Sequence, residues 1–325
     1  MSVAVNPYIS LVVSGRNDDY GGSFTHRFNV SLKVWLTLCE HYGLSTEFII
    51  VEWNPPADVP VLADVLSLPE ELGTQEVRFI QVPNEIHRAL PQSERTPIFE
   101  FYAKNVGIRR ARGEYVLAMN ADDIPAIELV QFLVSGELCP ECFYRTDVYD
   151  VETAIPLNAP VEEQLAICAE HWSKIYTVRG VSKRRLALMD YHYLYSLVKW
   201  FGGKLIHHPR SGIHTNKSGD FLLIRRDHWH TFRGYPELPS NDYVDGLMCF
   251  MAASSGLHQV ILNDEKRIYH QGHERSARGN RPSLNFGLYL EQGKQIMEHQ
   301  QPPIVNDENW GLRGEALPEW TFPIK

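Results

Sequence analysis

The alternation of short apolar runs with helical patterns constrains this chain more than any other feature. Apolar runs rich in β-branched residues are separated by segments whose apolar residues recur at helical spacing. The runs are Ile9–Ser14, Glu47–Val51, Val77–Val82 and Tyr115–Met119, and the helical segments are Phe28–Tyr42, Val61–Leu66 and Phe99–Arg112. This alternation predicts an α/β fold with a doubly wound, mostly parallel sheet and helices on both faces.

A polar cluster follows three of these predicted strands, at the point where each strand ends. The clusters are Arg16–Asp19, Glu52–Asn54 and Asn120–Asp123. Sheets of this class bind ligands outside the carboxyl ends of their parallel strands. We therefore expect the functional site at that edge of the sheet.

The charge of the chain limits the kind of ligand that this edge can bind. The sequence has 40 acidic and 31 basic residues and a net charge of −9. Nucleic acids are disfavoured as partners because their phosphate backbones are anionic. A small phosphate-bearing ligand would need a metal ion or a few well-placed cations.

Asp122 and Asp123 directly follow the strand predicted at Tyr115–Met119 and suit a hard cation. Mg²⁺ and Mn²⁺ bind carboxylate oxygens and can bridge them to a diphosphate. A solvated Asp–Asp turn that caps a helix is the alternative. His270 and His273 lie in a predicted loop. In one interpretation they complete the metal shell or contact the diphosphate; in the other they are surface residues.

Three acidic residues precede or begin the predicted helix Val244–Ser254. Glu237, Asp242 and Asp245 are candidates for a general base that removes a proton from an acceptor hydroxyl. Asp245 is preferred because helix packing would fix its position, and Glu237 is better suited to hydrogen-bond acceptor hydroxyls. Alternatively, Asp242 or Asp245 only stabilises the N-terminus of the helix.

The cysteines suggest a second candidate metal site. Cys139 and Cys142, with Cys168 and His171, have the composition of a Cys₃His zinc site. The two pairs are unusually far apart for a zinc ribbon, so reduced thiols are the preferred interpretation. The odd total of five cysteines also argues against a disulfide framework.

Several catalytic and targeting signals are missing from the sequence. It has no Gly-x-x-x-x-Gly-Lys-Ser/Thr loop, no Gly-x-Ser-x-Gly elbow and no Gly-x-Gly-x-x-Gly fingerprint after its first strand, so kinase, hydrolase and dehydrogenase functions lose their main support. The sequence shows no signal peptide and no apolar stretch of about 18 residues. We expect a cytoplasmic protein without a transmembrane segment, a prediction that is compatible with peripheral membrane contact.

Taken in order, these segments resemble the GT-A glycosyltransferases, in particular the family 2 type group. Ile9–Asp19 is similar to the first strand and nucleotide loop, and Lys104–Asp123 to the Asn-x-Gly helix, Ala-x-Gly turn, strand and Asp-x-Asp motif. Arg233–Glu237 is similar to the family's acceptor-side turn, and Ile268–His270 to the segment with a metal-ligand histidine. Asn120 departs from the pattern, which usually has Asp there.

The resemblance implies a GT-A fold and a set of site residues. The implied nucleotide-binding residues are Ser14, Arg16, Asp19, Glu52, Asn105 and Asn120. A divalent metal, Mn²⁺ or Mg²⁺, would be held by Asp122, His270 and His273. The acceptor side would include His214, Asn216 and Asp220, and the base would be Asp245, Asp242 or Glu237.

The implied activity is hexosyl transfer in polysaccharide biosynthesis, with inversion and metal dependence. The donor would be a UDP- or GDP-sugar, and the acceptor a hydroxyl on a glycan or a lipid-linked intermediate. Two alternatives stay open: a nucleotide-sugar-binding module without catalysis, which Asn120 favours, and a sugar-phosphate nucleotidyltransferase.

The same resemblance suggests four parts of the chain. Residues 1–135 would be the nucleotide-sugar-binding α/β half and residues 214–300 the acceptor-binding and catalytic half. Between them, residues 136–213 would form a helical insertion on the acceptor side, since the pattern from Val161 to Lys204 is helical. Residues 301–325 would be a C-terminal tail.

Overall fold

Strands and helices alternate in the part of the chain that the computed structural model describes, which is residues 6–69, 72–184, 212–262, 265–273, 284–299 and 305–322. The helices are α1 Phe24–Tyr42, α2 Leu62–Val65, α3 Asn84–Ala89, α4 Glu100–Arg110, α5 Ile127–Val134, α6 Val161–His171, α7 Arg226–Phe232, α8 Val244–Ser254 and α9 Phe286–His299. The strands are β1 Ile9–Gly15, β2 Thr46–Trp53, β3 Glu76–Val82, β4 Tyr115–Met119, β5 Asp123–Pro125, β6 Cys142–Thr146, β7 Val148–Val151, β8 Trp172–Thr177, β9 Gly180–Lys183, β10 Phe221–Arg225, β11 His258–Leu262, β12 Ile268–Gln271 and β13 Glu319–Phe322.

The larger sheet has eight strands in the order β11-β6-β10-β4-β1-β2-β3-β13. Its central strands β4, β1, β2 and β3 run parallel. β10 is antiparallel to both β4 and β6, and β13 is antiparallel to β3. The prediction of an α/β protein with a parallel-rich sheet is therefore confirmed.

Apolar side chains cover both faces of this sheet. Leu11 and Val13 of β1 point into a core that α1 and α5 complete, whereas Val12 points into a second core with α4 and α8. Because successive side chains of a strand alternate between faces, a fully apolar strand needs helices on both sides. Among the described helices, none has the length and apolarity needed to cross a membrane.

Helix α4 crosses the sheet at a point where only glycine fits without displacement. A Cβ on Gly107 would lie 2.5 Å from Cγ1 of Val12 and 3.2 Å from Cγ2 of Val51. This close approach fixes the helix against β1 and β2, and thereby positions the polar residues of α4 that reach the carboxyl edge of the sheet.

A buried carboxylate ties the opposite edge of the sheet together. Glu47 of β2 is fully buried and accepts hydrogen bonds from Ser10 Oγ (2.6 Å), Arg78 Nη1 (2.8 Å) and Arg112 Nε (2.8 Å). Burial alone would raise the pKa of Glu47, but the hydrogen bonds of Ser10 and Arg112 and the charge of Arg78 outweigh it and hold that pKa below its ordinary value. Glu47 thus links β1, β2 and β3.

Residues 136–184, the described part of the predicted helical insertion, differ from that prediction, because they contain one helix, α6, together with the strands β6, β7, β8 and β9. Helix α6 ends at His171 and is followed by the antiparallel pair β8 and β9. Leu165, Cys168, Trp172 and Ile175 match a helical spacing, but Trp172 and Ile175 already belong to β8, where aromatic and β-branched residues are favoured. β6 pairs within the main sheet. The predicted helical pattern beyond residue 184 lies outside the described residues.

A second sheet has the strand order β5-β12-β7-β8-β9 and positions His270. Residues 268–271, expected to be a loop, form β12. This strand sets His270 opposite Asp123 of β5 and opposite Asp150 of β7. In the predicted tail, β13 extends the edge of the main sheet. Strands from all four predicted parts therefore share the larger sheet.

Candidate functional site

A cavity of about 640 Å³ lies at the carboxyl ends of β1 and β4, the edge where the sequence predicted a site. Ten of the predicted site residues line it: Ser14, Arg16, Asn120, Asp122, Asn216, Asp220, Asp242, Asp245, His270 and His273. These residues come from both halves of the sequence. The parallel pairing of β1 with β4 and the antiparallel pairing of β10 with β4 bring them to one edge.

The three residues predicted to bind a metal converge in this cavity. Asp122 Oδ1 lies 3.6 Å from His270 Nδ1, and Asp122 Oδ2 lies 3.8 Å from His273 Nε2. One ligand atom from each of these side chains lies within 4.8 Å of the other two, a spacing that a single cation can bridge. Asp122 is also ion-paired with the buried Arg27 of α1, with Nε 3.1 Å from Oδ2.

His270 belongs to a second cluster of potential ligands as well. Its Nδ1 is 3.0 Å from Asp123 Oδ1 and 3.2 Å from Asp220 Oδ1. All three of these residues are buried. The register of β5 and β12 places the imidazole directly beside Asp123, so the histidine is held by backbone pairing as well as by its side-chain contacts.

Burial and neighbouring charges shift the pKa of Asp123, Asp220 and His270. Burial, reinforced by Asp220, raises the pKa of Asp123 to about 8, although His270 opposes the shift. Burial and the charge of Lys217 lower the pKa of His270, but Asp122, Asp123 and Asp220 outweigh them and raise it. Burial alone would raise the pKa of Asp220, but Lys217 and His270 hold it well below its usual range. Positive charge is therefore strongly favoured here.

Lys217 supplies part of that positive charge. Its Nζ lies 3.4 Å from Asp150 Oδ1 and 3.5 Å from Asp220 Oδ1, and it sits 5.1 Å from the ring centroid of Tyr176. Burial lowers the pKa of Lys217, but Asp220 and Asp150 outweigh that effect and raise it. A cation of the chain itself therefore lies at the cavity, since Lys217 is one of its lining residues.

The structure explains the amide at position 120. Asn120 Oδ1 accepts a hydrogen bond from Lys104 Nζ (2.7 Å), and Asn120 Nδ2 donates to Asp220 Oδ1 (3.2 Å). An ammonium can only donate and a carboxylate only accept, so the two neighbours fix the orientation of the amide. An aspartate at this position would place a second negative charge against Asp220.

Lys104 is a fully buried lysine that joins three segments around the cavity. Its Nζ donates to Glu100 Oε1 (2.7 Å) and to the carbonyl oxygen of Gly219 (2.9 Å), as well as to Asn120. These acceptors belong to α4, to the loop before β10 and to the end of β4. Lys104 therefore positions Asn120 and the loop that carries Asp220.

Asp245, the preferred base, contacts the same loop. Its Oδ2 accepts hydrogen bonds from Ser218 Oγ (2.6 Å) and from the backbone N–H of Gly219 (2.7 Å). Since Gly219 precedes Asp220, two consecutive residues connect the candidate base to the cluster around His270. Asp242 also lines the cavity, and its backbone N–H donates to Ser240 Oγ (3.1 Å).

The prediction that Glu237 and Asn105 belong to the site is not supported by their positions. Neither lines the cavity. Glu237 Oε1 accepts hydrogen bonds from Asn105 Nδ2 (3.1 Å) and from the backbone N–H of Gly311 (2.8 Å). Asn105 in turn bonds both the backbone N–H and the carbonyl oxygen of Tyr235. The pair holds the turn after α7 and the segment near residue 311 against α4.

Three other predicted site residues also have structural contacts outside the cavity. Asp19 Oδ1 accepts from the backbone N–H of Phe24 at the start of α1 (3.0 Å). Glu52, which is buried, accepts from the backbone N–H of Leu62 at the start of α2 (3.0 Å). His214 is buried with Nε2 3.7 Å from Asp147 Oδ1. Asp19 and Glu52 thus accept hydrogen bonds from backbone N–H groups, and His214 contacts Asp147; none of the three lines the cavity.

The predicted zinc residues are not assembled into a site. In the described residues, the clusters with metal-ligand spacing are the two that contain His270, and neither includes a cysteine. Cys168 is fully buried in the core and Cys142 is part of β6, whereas Cys139 is exposed. Burial raises the pKa of Cys168 to about 12, which is typical of an unreactive core thiol.

Sequence reasoning missed three contributors to this site: Arg27, Lys104 and Lys217. The Glu100–Lys104 spacing of one helical turn is a usable signal for an ion pair. For Arg27 and Lys217 the sequence carries no comparable signal, because a lone basic residue is usually exposed.

Comparisons with known proteins give a limited result. No family model matches the chain, and no curated protein matches it in sequence. The fold is similar to two crystal structures of S. aureus TarS, at 13% and 12% identity, with a TM-score of 0.42 for each. The similarity covers 81% of this chain, and 36% of one TarS chain and 60% of the other, which comprises residues 1–349. The match thus spans less than two thirds of each TarS chain.

Proposed function

We propose that this protein is a glycosyltransferase that moves a sugar from a nucleoside diphosphate to an acceptor hydroxyl. The observation that carries the proposal is the convergence of Asp122, His270 and His273 at the carboxyl edge of a parallel sheet. A candidate base, Asp245, lines the same cavity. Cation ligands and a carboxylate base facing one cavity are the groups that sugar transfer from a diphosphate requires.

The nucleotide would bind at the end of β1. Ser14 and Arg16 line the cavity there, and Arg16 Nε is fixed by the carbonyl oxygen of Asn54 (2.7 Å). Ligands of doubly wound sheets lie at this position. Because the protein is net negative, Arg16 and Lys217 would meet the diphosphate together with a bound metal. The donor is a UDP- or GDP-sugar.

Asp122, His270 and His273 are the residues that would hold the metal. Imidazole nitrogens combined with a carboxylate suit Mn²⁺ better than Mg²⁺, which prefers oxygen ligands. When bound, the cation would neutralise the negative charge that develops on the leaving diphosphate. Asp123 Oδ1 and Asp220 Oδ1 lie within 3.2 Å of His270 Nδ1, so further carboxylates next to these ligands favour a cation.

Asp245 would take the proton of the acceptor. Its Oδ2 is fixed by Ser218 and Gly219, and Oδ1 is the atom that we assign to proton abstraction. The acceptor oxygen forms a bond to the anomeric carbon while the bond from that carbon to the diphosphate oxygen breaks. The acceptor proton goes to Asp245 and the electron pair to the diphosphate. The configuration inverts because the acceptor attacks the face opposite the leaving diphosphate in a single displacement.

The contacts of Asn120 bear on the alternative of a silent binding module. The amide is satisfied by Lys104 and Asp220, and the cation ligands converge without it. The departure from the Asp-x-Asp pattern is thereby accounted for by local charge balance. No contact among the described residues favours the nucleotidyltransferase alternative.

Calorimetry with UDP- and GDP-sugars, with and without Mn²⁺, tests the proposal. At least one donor should bind more tightly in the presence of Mn²⁺, and Asp122→Ala should abolish this Mn²⁺-dependent gain in donor affinity. Asp227→Ala is the matched control, since it removes an exposed carboxylate of α7. The parent should also release nucleoside diphosphate slowly from that donor by hydrolysis. Absence of binding by every donor would refute the proposal, and binding without hydrolysis would favour the silent module.

A further inference from the structure

One wall of the cavity is aromatic and has no role in the mechanism above. Tyr243, Phe286 and Tyr289 line it together, and we call these three residues the aromatic wall. The rings of Tyr243 and Tyr289 are stacked, with centroids 4.9 Å apart and an interplanar angle of 18°. The ring of Phe286 lies 5.6 Å from that of Tyr243. The wall joins the start of α8 to the start of α9.

The ring of Tyr243 is held from behind. A Cβ on Gly246 would come within 2.6 Å of the Tyr289 hydroxyl, so this glycine makes room for the Tyr289 ring against α8. Tyr289 is also only 4% exposed. Tyr289 is thus a rigid base on which Tyr243 stacks.

The backbone of Tyr243 is in an unfavourable conformation. Its φ of 62° and ψ of 2° lie in the left-handed region, which glycine and asparagine adopt far more readily than an aromatic residue. Such outliers are found where a side chain is needed in a particular place, often at ligand sites. Here the conformation accompanies an aromatic side chain that lines the cavity.

Phe286 presents a ring to solvent in the described structure. It is 50% exposed and lies in the first turn of α9. Leu288, two residues further on, is similarly exposed at 51% but does not line the cavity. The two residues differ in position rather than in exposure, so Leu288 is a natural control for Phe286.

Polar groups flank the aromatic wall on the side of α8. Ser240, Asn241 and Asp242 line the same cavity just before Tyr243, and Asp245 lines it two residues after Tyr243. Aromatic faces attract the weakly positive C–H groups of a sugar ring, and carboxylates and amides bond its hydroxyls. A lipid chain would not benefit from these carboxylates. The combination therefore fits a pyranose.

We propose that Tyr243 and Phe286 form a stacking platform for the pyranose ring of the acceptor. This inference rests on the proposed function and adds the chemical class of the acceptor. The ring would lie next to Asp245, because Tyr243 and Asp245 line the same cavity from the start of α8. The platform then presents an acceptor hydroxyl to the base while the donor occupies the cation side.

Saturation-transfer NMR on the full chain tests the platform directly. The probes are the methyl pyranosides of glucose, galactose and N-acetylglucosamine, with and without UDP or GDP and Mg²⁺, which is diamagnetic. At least one probe should show transfer to its ring C–H protons in the parent. Tyr243→Ala and Phe286→Ala should each lower that transfer roughly 3- to 10-fold, the scale of one aromatic contact. Tyr243→Phe and Leu288→Ala should keep it.

A further variant separates binding from folding. Tyr243→Gly removes the ring but relaxes the backbone, since glycine adopts a φ of 62° without strain. Its melting temperature should stay within a few degrees of the parent value while pyranoside transfer is lost.

The outcomes distinguish this inference from the proposed function. Nucleotide binding without pyranoside transfer in the parent, or equal transfer in every variant, would overturn the platform and leave the proposed function standing. A fall in UDP or GDP affinity in Tyr243→Ala would show that the wall stacks the nucleobase instead. Absence of nucleotide binding in the parent would refute the proposed function itself.

Discussion

Replacing Asp245 by asparagine should remove the base while leaving its surroundings in place. In the native protein, Asp245 Oδ2 accepts hydrogen bonds from Ser218 Oγ (2.6 Å) and from the backbone N–H of Gly219 (2.7 Å). The amide oxygen of asparagine can accept both bonds. The loop that leads to Asp220 should therefore keep its position, whereas the side chain can no longer accept a proton from a hydroxyl.

Two separate magnitudes follow from this geometry. Loss of a general base typically slows turnover by about 100-fold or more, or ~2.7 kcal/mol in activation free energy. Exchanging two charge-assisted hydrogen bonds for neutral ones costs about 2 kcal/mol of stability. That loss corresponds to a drop in melting temperature of about 3 °C for a chain of this length. Asp245→Asn should thus be folded but nearly inactive.

Release of nucleoside diphosphate from the bound donor, with water as the acceptor, is the assay for turnover. Calorimetry on the same samples gives the donor dissociation constant, which should remain near the parent value. Asp242→Asn, a cavity residue, and Glu237→Gln, a residue outside the cavity, are the controls. Both should retain most of the parent turnover.

A turnover of Asp245→Asn within a few-fold of the parent would exclude it as the base. If Asp242→Asn instead showed the 100-fold loss, the base would be Asp242. A weakened donor affinity in Asp245→Asn would indicate that this residue acts through the loop rather than on the acceptor.

Three buried contacts give further predictions. Glu47→Gln removes the partner of Arg78 and Arg112 and should lower the free energy of unfolding by about 3 kcal/mol at pH 7 in urea denaturation. Folding lowers the pKa of Glu47 below 4.5, so the stabilisation by ionised Glu47 is complete above that pH and is lost as the pH falls through the native pKa. The free energies of unfolding of the parent and Glu47→Gln should therefore converge in acid. A difference that stays constant with pH would contradict this. Lys104→Met removes three hydrogen bonds and should cost about 3 kcal/mol and weaken Mn²⁺ binding in calorimetry; an unchanged Mn²⁺ affinity would refute its positioning role. Gly107→Ala should cost about 1–3 kcal/mol despite the helix preference of alanine, and an equal or higher melting temperature would contradict the close helix–sheet approach.

The centre of the fold could be predicted from the sequence because its strands are buried on both faces. β1 and β4 are continuous apolar runs followed by polar turns, and β4 has the predicted bounds. The site residues at their ends also came together as predicted, since the carboxyl ends of parallel strands share one edge. Ser14 at the end of β1 and Asn120 after β4, for example, line the same cavity.

Short strands with distant partners could not be predicted in the same way. β5 and β12 have three and four residues, too few to show a period of two. The partner that positions His270, Asp123, is 147 residues away. A sequence motif identified His270 as a ligand, but only the three-dimensional pairing shows that His270 lies on a strand.

Several predicted site residues near the ends of strands do not line the cavity. Glu52 lies in β2 and Asp19 follows β1, but each accepts a hydrogen bond from a backbone N–H group at the start of a helix. Glu237 accepts hydrogen bonds from Asn105 and Gly311 instead of lining the cavity. Which donor a carboxylate satisfies depends on tertiary contacts that no local pattern encodes. The same limit applies to the buried Lys104.

Pulsed electron paramagnetic resonance of Mn²⁺ added to the full chain with UDP or GDP tests the central claim most directly. Imidazole ligands produce a ¹⁴N coupling and a bound diphosphate produces a ³¹P coupling on the same ion. Both couplings should appear in one complex, and the ¹⁴N coupling should be weakened in His270→Gln. A spectrum of hydrated Mn²⁺ with neither coupling, or a ³¹P coupling with no ¹⁴N coupling from His270 or His273, would contradict that claim.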